Sequence, residues 1–194
     1  MKKTLLIALL LIPFFGFSQT TKPIDGALGI KFGSSKAVVI AALKARGGKL
    51  SMSNAHAVAF DDISLGHKKA DLLIVKFLDD KLLEIDFTFK PQDDHHVIEY
   101  YNNLIADINN IYGKGESTKK YAPTYSESDE NQLNDLLVGA VEYTTLWQAA
   151  NNNSIQAAIE KGTNSDLNVT LSYQDYVLIN KAIEKQKSKD KSDY

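Results

Sequence analysis

The chain has 194 residues, 44% of them hydrophobic, a formal charge of −2 at neutral pH and no cysteine. That length supports one domain, or two small halves sharing a core. The lack of cysteine excludes thiol catalysis, disulfides and zinc–thiolate sites, and a mildly acidic chain without a basic stripe is a poor nucleic-acid binder.

Residues 1–18 read as a secretory signal peptide. Lys2 and Lys3 form a positive start, Leu5 to Phe15 an apolar run, and Gly16 and Ser18 the small residues before a cut between Ser18 and Gln19. The run is shorter than the ~20 residues a membrane-spanning helix needs, and no second long apolar run follows. The expected mature chain therefore has no transmembrane segment and works in the periplasm or outside the cell. Losing Lys2 and Lys3 takes its formal charge from −2 to −4.

Residues 19–27 are polar and are expected to be flexible. Leu28, Ile30 and Phe32 alternate as a short strand. Ser34 and Ser35 are cap candidates for a helix over 35–46, which Gly47 and Gly48 end. After an indistinct stretch, Ala55–Phe60 and Ala70–Leu78 read as strands. Asp79 and Asp80 make a tight turn into the clearest strand of the chain. There Leu83, Ile85, Phe87 and Phe89 alternate with Glu84, Asp86, Thr88 and Lys90, one face buried and one wet.

A second helix follows, capped by Asp93 or Asp94 and ended by Gly113. Its apolar stripe is Val97, Tyr101, Leu104, Ile105, Ile108, Ile111 and Tyr112. Residues 114–138 read as a long loop, with a capping box at Ser126–Asp129 opening a short helix near 127–137. Three more alternating strands run over 141–148, 155–160 and 167–173. Residues 175–184 fit a helix or a strand, and the charged tail 185–194 is expected to be disordered.

The order helix, three strands, helix, three strands predicts an α+β domain over 28–184. It would be an antiparallel sheet from two αβββ repeats, about 28–90 and 93–175, with the helices packed on one face. The other face is left to solvent or a partner.

The opening Leu28-Gly29-Ile30-Lys31-Phe32-Gly33-Ser34-Ser35-Lys36, the Tyr112-Gly113 helix end and a strand with Trp147 resemble a recurring pattern in small, uncharacterised bacterial envelope proteins. The resemblance covers roughly residues 26–175 and implies a fold and an envelope location. The chain departs from it at Ala37 and Val38, where acidic residues are usual, and in the length of the 114–138 connection. The helix-and-sheet layout is also similar to the β-lactamase-inhibitor-protein type of fold, in which an open sheet face grips another protein.

Chemistry-bearing residues are sparse. Asp93-Asp94-His95-His96 offers metal-ligand types, but neighbours on a helix do not face each other, so His95 and His96 are weak candidates and no metal or cofactor is expected. Asp61-Asp62 opens a calcium-loop-like stretch whose ligand positions are filled by Ile63 and Leu65. No nucleophile elbow, Ser-x-x-Lys or His-Glu-x-x-His motif occurs. The expected function is a non-enzymatic binding protein for an envelope or extracellular protein partner. Its candidate contacts are the wet sheet face (Glu84, Asp86, Thr88, Gln156, Glu160, Asn168, Thr170, Ser172) and the loop tyrosines Tyr121 and Tyr125. The alternatives are an envelope hydrolase using Asp and His groups, and a structural homo-oligomer of the envelope; the sequence leaves the oligomeric state open.

Overall fold

The computed structural model describes residues 22–125, 132–162 and 166–192. The expected signal peptide with its expected cleavage site and the Ser126–Asp129 capping box lie outside the described residues, as does the middle of the turn expected at 162–166.

The chain opens with a ribbon of β1 (Gly26–Ala27) and β2 (Ile30–Lys31), followed by α1 (Lys36–Ala45), β3 (Lys49–Ser53) and β4 (Ala57–Asp61). A second ribbon, β5 (Ser64–Leu65) and β6 (Lys68–Lys69), precedes β7 (Leu72–Leu78) and β8 (Lys81–Phe89). A 3₁₀ turn at Asp94–His96 leads into α2 (Val97–Tyr112). Then come β9 (Glu116–Tyr121), α3 (Gln132–Leu137), β10 (Val141–Gln148), β11 (Ser154–Lys161), β12 (Leu167–Gln174) and α4 (Tyr176–Ser192). The large sheet has eight strands in the order β3-β4-β7-β8-β12-β11-β10-β9, and every neighbouring pair is antiparallel. The protein is thus α+β, built on one large antiparallel sheet. The last strands of the two halves, β8 and β12, meet at its centre, and the first strands, β3 and β9, form its edges.

Local chemistry explains the turns and caps. Asp79 and Asp80 both adopt positive φ, 48° and 62°, the geometry that matches a two-residue hairpin to the twist of its strands. Ser35 caps α1, its hydroxyl accepting from Val38 N. The residues around it are structural as well: Gly33 N donates to Leu82 O, Leu82 N donates to Ser34 O, and Lys36 N donates to Asp80 Oδ1 at 2.9 Å. The Gly-Ser-Ser-Lys opening therefore ties α1 to the β7–β8 hairpin.

The core lies between the sheet and the helices. Register aligns Val58, Val75, Ile85, Tyr173, Ile155 and Trp147 in one row across the sheet. These residues join Val39 and Leu43 of α1 and Val97, Tyr101, Leu104, Ile108 and Tyr112 of α2 in a single buried cluster. One stripe residue departs: Ile111 faces solvent. A bulge between Lys76 and Phe77 brings Leu82 opposite Phe77, so Leu82 enters the core cluster, while the expected Leu83 is buried outside it.

Five further expectations need correction. Of the segment expected to be loose, 19–27, the described part is anchored: Ile24 is fully buried and its carbonyl accepts from Asn153 Nδ2 at 2.7 Å. Leu28 and Gly29, both at positive φ, turn the expected 28–32 strand into the β1–β2 ribbon. Each half has four strands in the sheet instead of three, since β3 fills the indistinct stretch. The 114–138 loop contains β9, paired along its length with β10. The tail from Lys185, expected to be disordered, belongs to α4 as far as Ser192, and Lys185 pairs with Asp79.

Candidate functional site

The uncovered face of the sheet centre carries the outward phase of β7, β8, β12 and β11, polar on β8 and β12 but mostly apolar on β7, where the partly buried Leu72 and Ile74 lie opposite Thr88 and Asp86. Period two sends Glu84, Asp86 and Thr88 away from the core that Ile85, Phe87 and Phe89 enter. The register sets Lys76 opposite Glu84 and Glu84 opposite Gln174. One step along, Asp86 lies opposite Ser172, and Ser172 opposite Gln156. Thr88 faces Thr170. Together these side chains and Glu160 line a depression of about 360 Å³, built from strand residues alone.

An ion-pair triad organises its floor. Lys76 Nζ lies 2.9 Å from Glu84 Oε2 and 2.9 Å from Asp86 Oδ2. Gln174 Nε2 donates to the other oxygen of Glu84 at 2.8 Å. The carboxylates are largely sunk, with side chains 13% and 19% exposed, whereas that of Lys76 is 46% exposed. Burial holds the Asp86 carboxyl above the ordinary carboxylate range. A hydrogen bond from Ser172 and the Lys76 charge pull it down, and the Glu84 charge pushes it up. Burial also works against the charge on Lys76, but its hydrogen bonds to Glu84 and Asp86 outweigh that and raise its pKa.

The raised value at Asp86 has a measurable consequence. The folded protein binds this proton more tightly than the unfolded chain. Its contribution to stability is therefore complete below the ordinary value of 3.8 and is lost as pH rises through the raised one. Asp86→Asn is expected to remove that decline. Urea melts of both proteins from about pH 3 to 7 check it, and parallel curves would contradict it.

The other candidates separate. Asn168 shares the polar phase of β12 but is buried, and its Oδ1 makes no hydrogen bond among the described residues. It is not part of the accessible face. Tyr121, the last residue of β9, lies opposite Val141 and packs against the core, whereas Tyr125 is 46% exposed. The two tyrosines thus do not form one exposed patch, and Tyr121 lies toward the helix side of the sheet.

The Asp-Asp-His-His stretch is a helix entrance. Asp93 Oδ1 accepts from His96 N and lies 2.8 Å from His96 Nδ1, while Asp94 Oδ1 accepts from Leu167 N at 2.9 Å. His96 thus turns back on Asp93, and among the described residues no three His, Asp or Glu side chains are grouped to hold a metal. Asp62 of the calcium-like stretch is held by Lys49 and Lys69, each at 2.7 Å, and their hydrogen bonds lower its carboxyl to about 2.

Lys76 and Gln174 are site residues that sequence reading passed over, and the one of greater weight is Lys76. Its signal was present: it is the one charge inside the apolar run Leu72–Leu78, where a charge has to point out of the core. The fold and site together define an α+β antiparallel-sheet protein with one helix-covered face and one shaped polar face. No protein-family model, no curated protein and no solved structure matches the chain.

Proposed function

We propose that this is a secreted or periplasmic, non-enzymatic binding protein that receives a protein partner on the open face of its central strands. The observation that carries this reading is the asymmetry of the sheet. Helices α1 and α2 seal one face, and the other keeps a concave polar surface with fixed charges at its centre. Backbone strands hold those side chains in register, which reduces the ordering that binding must impose on them. We also read the mirrored strand order as the mark of a duplicated unit of one helix and four strands.

The test is capture from an envelope extract by immobilised protein. Glu84→Lys/Asp86→Lys is expected to lose the captured partner, because reversing two charges at the centre of an interface breaks its electrostatic complementarity, while melting confirms that the variant folds. Tyr125→Ala is expected to keep it. Retention of the partner by the folded charge-reversal protein would overturn the assignment of the face.

A further inference from the structure

We infer that the depression on the open sheet face accepts a basic side chain, arginine or lysine, of a protein partner, and that Lys76 holds its place until the partner arrives. This rests on the reading of that face as the interface. The charge balance points the same way: one lysine, Lys76, stands against three carboxylates, Glu84, Asp86 and Glu160, so two negative charges are in excess within the lining. Lys76 itself demonstrates the fit. Its ammonium sits 2.9 Å from both Glu84 and Asp86, the spacing of charge-assisted hydrogen bonds. Both carboxylates are sunk in the floor and Glu84 is also braced by Gln174, whereas Lys76 reaches them on a flexible stem from a half-exposed position. The stem can swing into water and leave the two oxygens to an incoming cation. A guanidinium has the better geometry for two carboxylate oxygens.

The experiment is a nuclear magnetic resonance titration of the labelled protein with a capped tetra-arginine peptide, with capped tetra-glutamate as control. Saturable shifts are expected at the amides around Glu84, Asp86, Ser172 and Gln156, with none from tetra-glutamate. Glu84→Gln/Asp86→Asn should weaken binding about tenfold, the size of one 1.4 kcal/mol step. Glu160→Gln, exposed and outside the triad, should weaken it by a smaller factor in a protein whose floor is intact. The decisive comparison is between two lysines. Lys76→Gln removes the internal competitor and should tighten binding, whereas Lys44→Gln, which changes the net charge equally from the exposed surface of α1, should leave it nearly unchanged. Shifts scattered over the surface, an equal response to both lysine variants, or no saturable binding would overturn the inference. Failure here alongside loss of capture by Glu84→Lys/Asp86→Lys would leave the face as the interface and remove only its basic partner.

Discussion

Trp147→Ala is expected to destabilise the protein by about 3–5 kcal/mol, the range for deleting a large buried aromatic side chain. Trp147 is almost wholly buried and works at both ends of its ring system. Its apolar body belongs to the core cluster. Its Nε1 donates to Asn109 Oδ1 at 2.9 Å and lies 3.0 Å from Gly113 O. Asn109 Oδ1 also accepts from Gly115 N at 2.9 Å, so one indole fixes the end of α2 and the start of the connection to β9. Packing there is tight: a Cβ on Gly115 would come within 2.6 Å of the indole ring. Trp147→Phe keeps most of the ring volume and drops the donor; Asn109 Oδ1 keeps Gly115 N while Gly113 O loses the indole, so its smaller loss, about 1–3 kcal/mol for a part-buried acceptor left without that donor, separates the two contributions. Urea melts followed by circular dichroism check both. A loss under 1.5 kcal/mol for the alanine variant would mean that the region repacks.

Phe87→Ala is expected to cost a similar ~3–5 kcal/mol, with a different consequence. Phe87 is fully buried on β8, opposite Leu73 on β7 and Leu171 on β12. Its ring stacks on Phe89 at 6.1 Å and meets Tyr173 of β12 edge-on at 6.2 Å, arrangements that add to the area buried. It is therefore central to the seam where the two halves of the sheet join. Asp86 and Thr88, its neighbours in sequence, face the depression on the other side. A cavity at Phe87 should loosen the β8–β12 pairing on which the opposition of Asp86 and Ser172 depends. Amide exchange should accelerate along β8 and β12 before it does in β10. Phe87→Leu should cost under ~1.5 kcal/mol and leave exchange near that of the parent. Uniform acceleration across all strands would deny the seam its separate role.

The parts of the fold legible in the sequence share one physical cause. A strand with one buried and one wet face must alternate, and β8, β10, β11 and β12 do so. A helix with one buried face must repeat every three to four residues, and α2 does so. Hairpin chemistry was equally readable at Asp79-Asp80, and Ser35 announced the cap of α1. The outward phase of β8 placed Glu84, Asp86 and Thr88 on the wet face without any knowledge of their neighbours.

Edges and seams were settled only by tertiary structure. All five residues of β3 are exposed, as are five of the six in β9. A strand with no buried face has no period to read, and Lys119 and Lys120 in β9 are the charged residues that suit an edge. Which strand of one half pairs with which of the other is a long-range choice, and it alone brought Gln174 and Ser172 to Glu84 and Asp86. Tertiary packing also decided that Asn168 is covered while Thr170 stays partly accessible, and that the buried Ile24 meets Asn153, 129 residues away in sequence. Composition and periodicity determined which side of each central strand meets water; only the packed sheet decided which polar groups stand together there, because contacts between distant residues depend on strand order and register, which local pattern does not encode.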